Sequence, residues 1–210
     1  MAVFRNGILL GRLGNTTTYI RNGKLVTRAT GTKITTKPTV LQLVGRQKTN
    51  VISAFLSPIR DPVQIGFNLY AKKRRKTPHG QAFAYTYHHA LKGTYPNIEI
   101  DFSKVMISIG NIPSASDAKV AVVEEGLKFT WDSKFIPIES NWDDQAMVVA
   151  YFTAIERAVY ITSGANRNMG TELLRLYEIP HGQVAETYIT FISGNRKRIS
   201  DSYYTGSVFW

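Results

Sequence analysis

The chain has 210 residues, 43% of them hydrophobic and 11% aromatic, which excludes a globally disordered protein. It contains no cysteine, which excludes a disulfide framework, a thiol nucleophile and a cysteine-ligated metal. Its net charge of +11 is unevenly placed: residues 1–94 hold 16 Lys/Arg against the single acid Asp61, net +15, whereas residues 95–210 hold 10 Lys/Arg against 14 Asp/Glu, net −4. A basic front on a mildly acidic body suits a grip on a polyanion, or on an acidic surface of another copy of the same chain.

The first residues lack the long apolar core of a signal peptide, because Ile8-Leu9-Leu10 is bounded by Gly7 and Gly11, and no apolar run approaches the length of a membrane span. The expectation is synthesis in the cytoplasm without a signal peptide; the sequence leaves the final location open, a virion or a filament among the options. Residues 6–14 carry Gly7, Gly11 and Gly14, too many for a helix and suited to extended chain close to another backbone. Asn22-Gly23 then stands between Thr16-Thr17-Thr18-Tyr19-Ile20-Arg21 and Lys24-Leu25-Val26-Thr27-Arg28. Asn-Gly between two β-prone runs is a strong hairpin signal, because a type I′ turn needs positive φ at both central residues. Counting outward pairs Arg21 with Lys24, Ile20 with Leu25, Tyr19 with Val26 and Thr17 with Arg28. One face thus collects Tyr19, Arg21, Lys24, Val26 and Arg28, and the other Ile20, Leu25 and threonines. A lone two-stranded hairpin is marginal in water and needs a surface to pack on.

A polar linker over residues 31–38 leads to a helix expected over 39–57, with Leu41, Val44, Val51, Ile52, Phe55 and Leu56 on one stripe and Pro58 and Pro62 ending it. The run Lys72-Lys73-Arg74-Arg75-Lys76 is the densest charge in the chain and the strongest candidate for phosphate binding, against the plainer reading of a solvated loop. A second helix is expected over 81–92. Its adjacent His88 and His89 point about 100° apart and cannot share one metal.

From Tyr95 the pattern turns to short β-type runs at 98–102, 105–109, 119–123, 127–131, 146–153, 157–163, 171–179, 186–193 and 202–209, parted by turn residues. Such spacing without intervening helices argues for an antiparallel sandwich of the immunoglobulin type. Arg196-Lys197-Arg198 reads as an exposed hairpin tip. The last run carries Tyr203, Tyr204, Phe209 and Trp210, candidate aromatics for a core or an interface. The fold class is therefore mainly β: a basic arm with a hairpin (1–38), a helical connector (39–94) and an immunoglobulin-like sandwich (95–210).

No constellation of enzyme chemistry stands out. Gly11-Arg12-Leu13-Gly14 lacks a phosphate-loop lysine, Asp143-Asp144 and Glu124-Glu125 read as acidic turns, and neither a Gly-x-Ser-x-Gly elbow nor a His-Glu-x-x-His run occurs. No cofactor or metal is expected.

Several stretches together resemble a known family: Asn6-Gly7-Ile8 with Gly11 and Gly14-Asn15; the hairpin from Tyr19 to Arg28; Pro38-Thr39 with Gln42 and Arg46; Gly93-Thr94-Tyr95-Pro96 running into Ile100-Asp101-Phe102-Ser103-Lys104-Val105; and Ser200-Asp201-Ser202-Tyr203-Tyr204-Thr205-Gly206. In this order the chain resembles, end to end, an uncharacterised family of about 210-residue proteins found mainly in Bacteroidota, a domain of unknown function. The resemblance implies a Lys/Arg-rich arm and a β-sandwich body, and it implies no catalytic or binding residue. The leading expectation is a non-enzymatic structural subunit whose basic arm packs on copies of itself or on a larger particle. The alternative is a nucleic-acid-binding protein using Arg21, Lys24, Arg28 and residues 72–76.

Overall fold

The structure is a computed structural model that describes residues 2–5, 7–21, 23–31, 37–134 and 137–210. It divides into two compact units, Met1–Thr39 and Val40–Trp210.

The first unit holds four antiparallel strands in chain order: β1 (Val3–Arg5), β2 (Ile8–Leu13), β3 (Thr16–Arg21) and β4 (Lys24–Ala29). Each connection is two residues long. The expected pairing of β3 with β4 is observed in register: Arg21 opposite Lys24, Ile20 opposite Leu25, Tyr19 opposite Val26 and Thr17 opposite Arg28. Gly23 supplies the positive φ (+73°) that the turn demands, while Asn22 lies outside the described residues. The glycine-rich stretch before it, expected as extended chain close to another backbone, holds β2, which pairs with β1 on one side and β3 on the other.

The second unit has three layers. Four helices, α1 (Val40–Leu56), α2 (Arg60–Gly66), α3 (Asn68–Lys73) and α4 (Pro78–His89), form the first. Pro62, read as a stop, sits in the first turn of α2, where its missing N–H is no loss. Helix α4 starts three residues earlier than expected because Thr77 caps it, its Oγ1 accepting from the Gly80 N–H at 3.2 Å, with Pro78 following. It also ends earlier: Leu91–Lys92 (β5) leaves the helix and pairs with Glu99–Ile100 (β6).

The sandwich follows. Strands β7 (Lys119–Val123), β8 (Gly126–Thr130) and β11 (Thr171–Arg175) form a sheet of order β11-β8-β7. Strands β9 (Gln145–Phe152), β10 (Arg157–Ile161), β12 (Val184–Ile192) and β13 (Tyr203–Phe209) form a second of order β10-β9-β12-β13. The first two strands and the fifth share one sheet and the other four share its partner, an immunoglobulin-type arrangement of two antiparallel sheets. The run at 105–109 is not a strand, because its backbone groups are satisfied elsewhere. The Ile107 N–H donates to Ser202 Oγ at 2.8 Å and the Ile109 N–H to the Gly66 carbonyl at 3.3 Å. The run expected as strand at 98–102 pairs only at Glu99–Ile100, and its last residue opens a short 3₁₀ turn, Phe102–Lys104.

Strand β9 shows how the layers join. Ala146, Val148, Ala150 and Phe152 enter the core between the sheets with Leu127, Phe129 and Phe191. Met147, Val149 and Tyr151 face the other way, into a core with Ile52, Phe55, Leu56, Val63 and Phe67 of the helical layer. The helices expected as a connector are thus the third layer of one unit. Their apolar stripe has a sheet face to cover, and that face would otherwise stay wet. Only the C-terminal half of the α1 stripe is used: Ile52, Phe55 and Leu56 are buried, whereas Leu41 is 83% exposed.

Phe55 meets Tyr151 and Phe102 edge to face, with ring centroids 5.0 and 5.7 Å apart. Phe55→Ala is expected to cost about 3–5 kcal/mol. In a urea titration it should move helical circular dichroism and tryptophan fluorescence, whose three sources Trp131, Trp142 and Trp210 all lie outside the helices, to the same lower midpoint. Separate midpoints would mean that helices and sandwich unfold independently.

Candidate docking and anion-binding surfaces

The N-terminal sheet is sided by its register. Arg12 lies opposite Thr17, which lies opposite Arg28; Tyr19 pairs with Val26 and Arg21 with Lys24. Since paired residues share a face and alternate residues return to it, all four cations of residues 11–31 project from one side. Arg28 leans over the Tyr19 ring there, at 5.9 Å from its centroid. The opposite side carries Leu13, Thr16, Thr18, Ile20, Leu25, Thr27 and Ala29 and no charge. Thr18 and Thr27 share a hydroxyl hydrogen bond of 3.0 Å across it. None of the described residues from 2 to 31 is buried, and Leu13, Ile20 and Leu25 are more than half exposed.

The aromatic residues of β13 part company. Trp210 is buried in the sandwich core, stacked on His181 at 4.3 Å, with its Nε1 donating to the Ile179 carbonyl at 3.0 Å. Tyr204 is half-buried and its hydroxyl donates to Glu186 Oε2 at 2.5 Å; burial, then that carboxylate, holds its phenol well above the ordinary value. Tyr203 and Phe209 remain exposed, the latter by 68%.

The five residues of the basic run are all exposed, and they run from the end of a helix into an ordered turn. Helix α3 ends in a Schellman closure: the Lys76 N–H reaches the Ala71 carbonyl at 3.0 Å, the Arg75 N–H reaches the Lys72 carbonyl at 3.2 Å, and Arg75 takes the left-handed conformation (φ +53°) usually given to glycine. Lys72, Lys73 and Arg74 then line a cleft of about 500 Å³, whereas Arg75 and Lys76 do not. The cleft's other wall comes from residues 109–111 and from Lys197, in the turn between β12 and β13. Its floor is the apolar Leu69, and the Arg74 guanidinium stacks 3.7 Å above the Tyr70 ring. A smaller cavity of about 320 Å³ shares Leu69 and carries Arg196. Arg196 is fixed by donating to Gln145 Oε1 (2.9 Å), Ser163 Oγ (2.5 Å) and the Thr162 carbonyl (3.3 Å). On this wall the Gly110 N–H donates to Asp201 Oδ1 at 2.9 Å. The participation of Tyr70, Arg196 and Lys197 was not visible in the linear pattern, where the second basic run reads only as a hairpin tip.

The model of DUF6266, a family of unknown function, matches residues 8–206. The chain belongs to this family. No curated protein and no solved structure matches it. The match takes in β2 to β4, all four helices, the cleft and every sandwich strand at least in part, so the DUF6266 match spans both units rather than the sandwich alone. Among the described residues no helix is long and apolar enough to cross a membrane. Inside the matched span the Arg167–Asp144 pair is almost wholly buried, with Nε 3.4 Å from Oδ2. Arg167 also stacks on Phe191 at 3.8 Å and donates to the Pro113 carbonyl at 2.8 Å. Burial pulls its guanidinium below the ordinary value while Asp144 pushes it back. Enclosed in this way, the pair is a structural clasp between loops.

A non-glycine residue in the left-handed region pays a steric penalty that glycine avoids, partly offset by glycine's greater freedom in the unfolded chain. Arg75→Gly should therefore stabilise the unit by about 0.5–1 kcal/mol. The check is a rise in denaturant midpoint at unchanged slope.

Proposed function

We propose that this protein is a non-enzymatic structural subunit that docks its N-terminal sheet on a neighbour, either another copy or a larger particle. One observation carries the reading: a sheet with no buried residue among those described has all the charge of residues 11–31 on one face and an exposed aliphatic strip on the other. A sheet needs a hydrophobic face covered before it is stable, and the uncharged face is the side on which a cover costs no desolvation of charge. Strand addition along the β4 edge is a compatible second contact.

The second unit offers no net negative charge to receive the basic face. Residues 40–210 as a whole hold 19 Lys/Arg against 15 Asp/Glu, net +4, because the helical layer brings its cations into the same unit. Apolar burial, with the cations left facing water or a local acidic patch, is the better account of the driving force. The Bacteroidota origin implied by the sequence resemblance makes a bacterial filament or a phage virion the concrete settings.

Deleting residues 1–37 should leave a folded, monomeric remainder, and Ile20→Lys with Leu25→Lys in the full chain should reproduce the loss of assembly. Light scattering after size exclusion reads both. Assembly unchanged in the truncated chain would defeat the proposal, as would a double variant that assembles like the parent.

A further inference from the structure

We infer that the cleft between α3 and the β12–β13 turn binds the phosphate backbone of single-stranded nucleic acid. The sequence alternative joined the hairpin cations to residues 72–76 by composition alone. The fold instead selects three of those five residues and sets Lys197, more than a hundred residues away in the chain, across the cleft from them. Four cations lining one concavity, with no carboxylate among its lining residues, form a potential well for an anion rather than a solvated charge run.

The shape narrows the ligand. A cavity of about 500 Å³ with an adjoining one of about 320 Å³ gives a short track on which Arg196 continues the line of cations. A bilayer meets a protruding surface, whereas here the apolar residues Leu69 and Tyr70 are half-buried and lie within the concavity. A duplex is too broad to enter it. One strand fits: phosphates meet Lys72, Lys73 and Lys197, and a base can lie on the Arg74 guanidinium, already flat on Tyr70. Recognition of this kind is insensitive to base sequence, because it reads charge and a π-face.

The test is fluorescence anisotropy with a labelled 20-nucleotide oligothymidylate on the full-length chain, titrated between 0.05 and 0.2 M salt. Losing one phosphate contact to a single strand flattens the log–log salt slope by about 0.7 and weakens binding about fivefold at 0.1 M salt. Lys197→Gln and Lys73→Gln should each do this. Arg75→Gly removes the same charge from the same run at a residue that does not line the cleft, and should weaken binding clearly less than Lys197→Gln does. The combined Arg21→Gln and Lys24→Gln variant, on the N-terminal sheet, should also bind as the parent does. Parent-like binding by Lys197→Gln, equal losses in Arg75→Gly and Lys197→Gln, or loss confined to the Arg21/Lys24 variant would each overturn the assignment. So would failure of the parent to bind the oligonucleotide while it binds vesicles containing 30% phosphatidylserine. None of these readouts depends on whether the chain assembles, which is scored separately by light scattering.

Discussion

The central constraint is that β9 and β12 lie side by side and are covered on both faces. Antiparallel strands of a two-layer sandwich usually keep one face wet and so alternate apolar with polar residues. Here the sequence from Ala146 to Phe152 has no polar residue at all, and both sides of the pair are committed, one to Leu127, Phe129 and Leu174, the other to Phe55, Leu56 and Phe67. The helices are held because that second side exists. In turn they carry α3 to the place where its basic end can face the β12–β13 turn.

The N-terminal sheet follows the opposite logic. Its strands are well formed by turn chemistry and cross-strand pairing, yet no described residue is withdrawn from water. Local signals can set register without supplying the burial that offsets the entropy of ordering a chain. Its shape is encoded locally and its stability is left to something else, as befits a segment whose completed form is a complex.

These two regimes explain what could be read in advance. The β3–β4 register was legible to the residue because a two-residue Asn-Gly turn leaves a single pairing, and seven of the sandwich strands were legible because turn residues punctuate them at short intervals. Strands could not be told from ordered irregular chain at 105–109, where apolar content is strand-like but the hydrogen-bond partners are Ser202, Gly66 and other distant groups. Helices α2 and α3 were hidden by treating Pro58 and Pro62 as terminators, although a proline in the first turn starts a helix as readily as another ends one. The cleft was not legible, because what makes it a site is the meeting of Lys73 with Lys197, a product of tertiary packing. Membership of an uncharacterised family was legible in the linear sequence, whereas the convergence of this chain's two basic runs was not.

Consecutive strands of the N-terminal sheet are separated by two residues in the chain, and β2, β3 and β4 are each six residues long. One strand with its turn therefore occupies eight residues, an even stride. Paired residues such as Arg21 and Lys24 share a face, so the charged side takes even positions in β2 and β4 but odd positions in β3, and each stride of eight exchanges the two sides. The segment behaves as a ruled ribbon: losing or gaining two such units together, sixteen residues, preserves its charged and uncharged sides, whereas losing β3 with one turn would set Arg12 opposite Leu25 and Leu13 opposite Lys24. In such a ribbon the reach of the sheet can change over evolutionary time while its two-sidedness is kept.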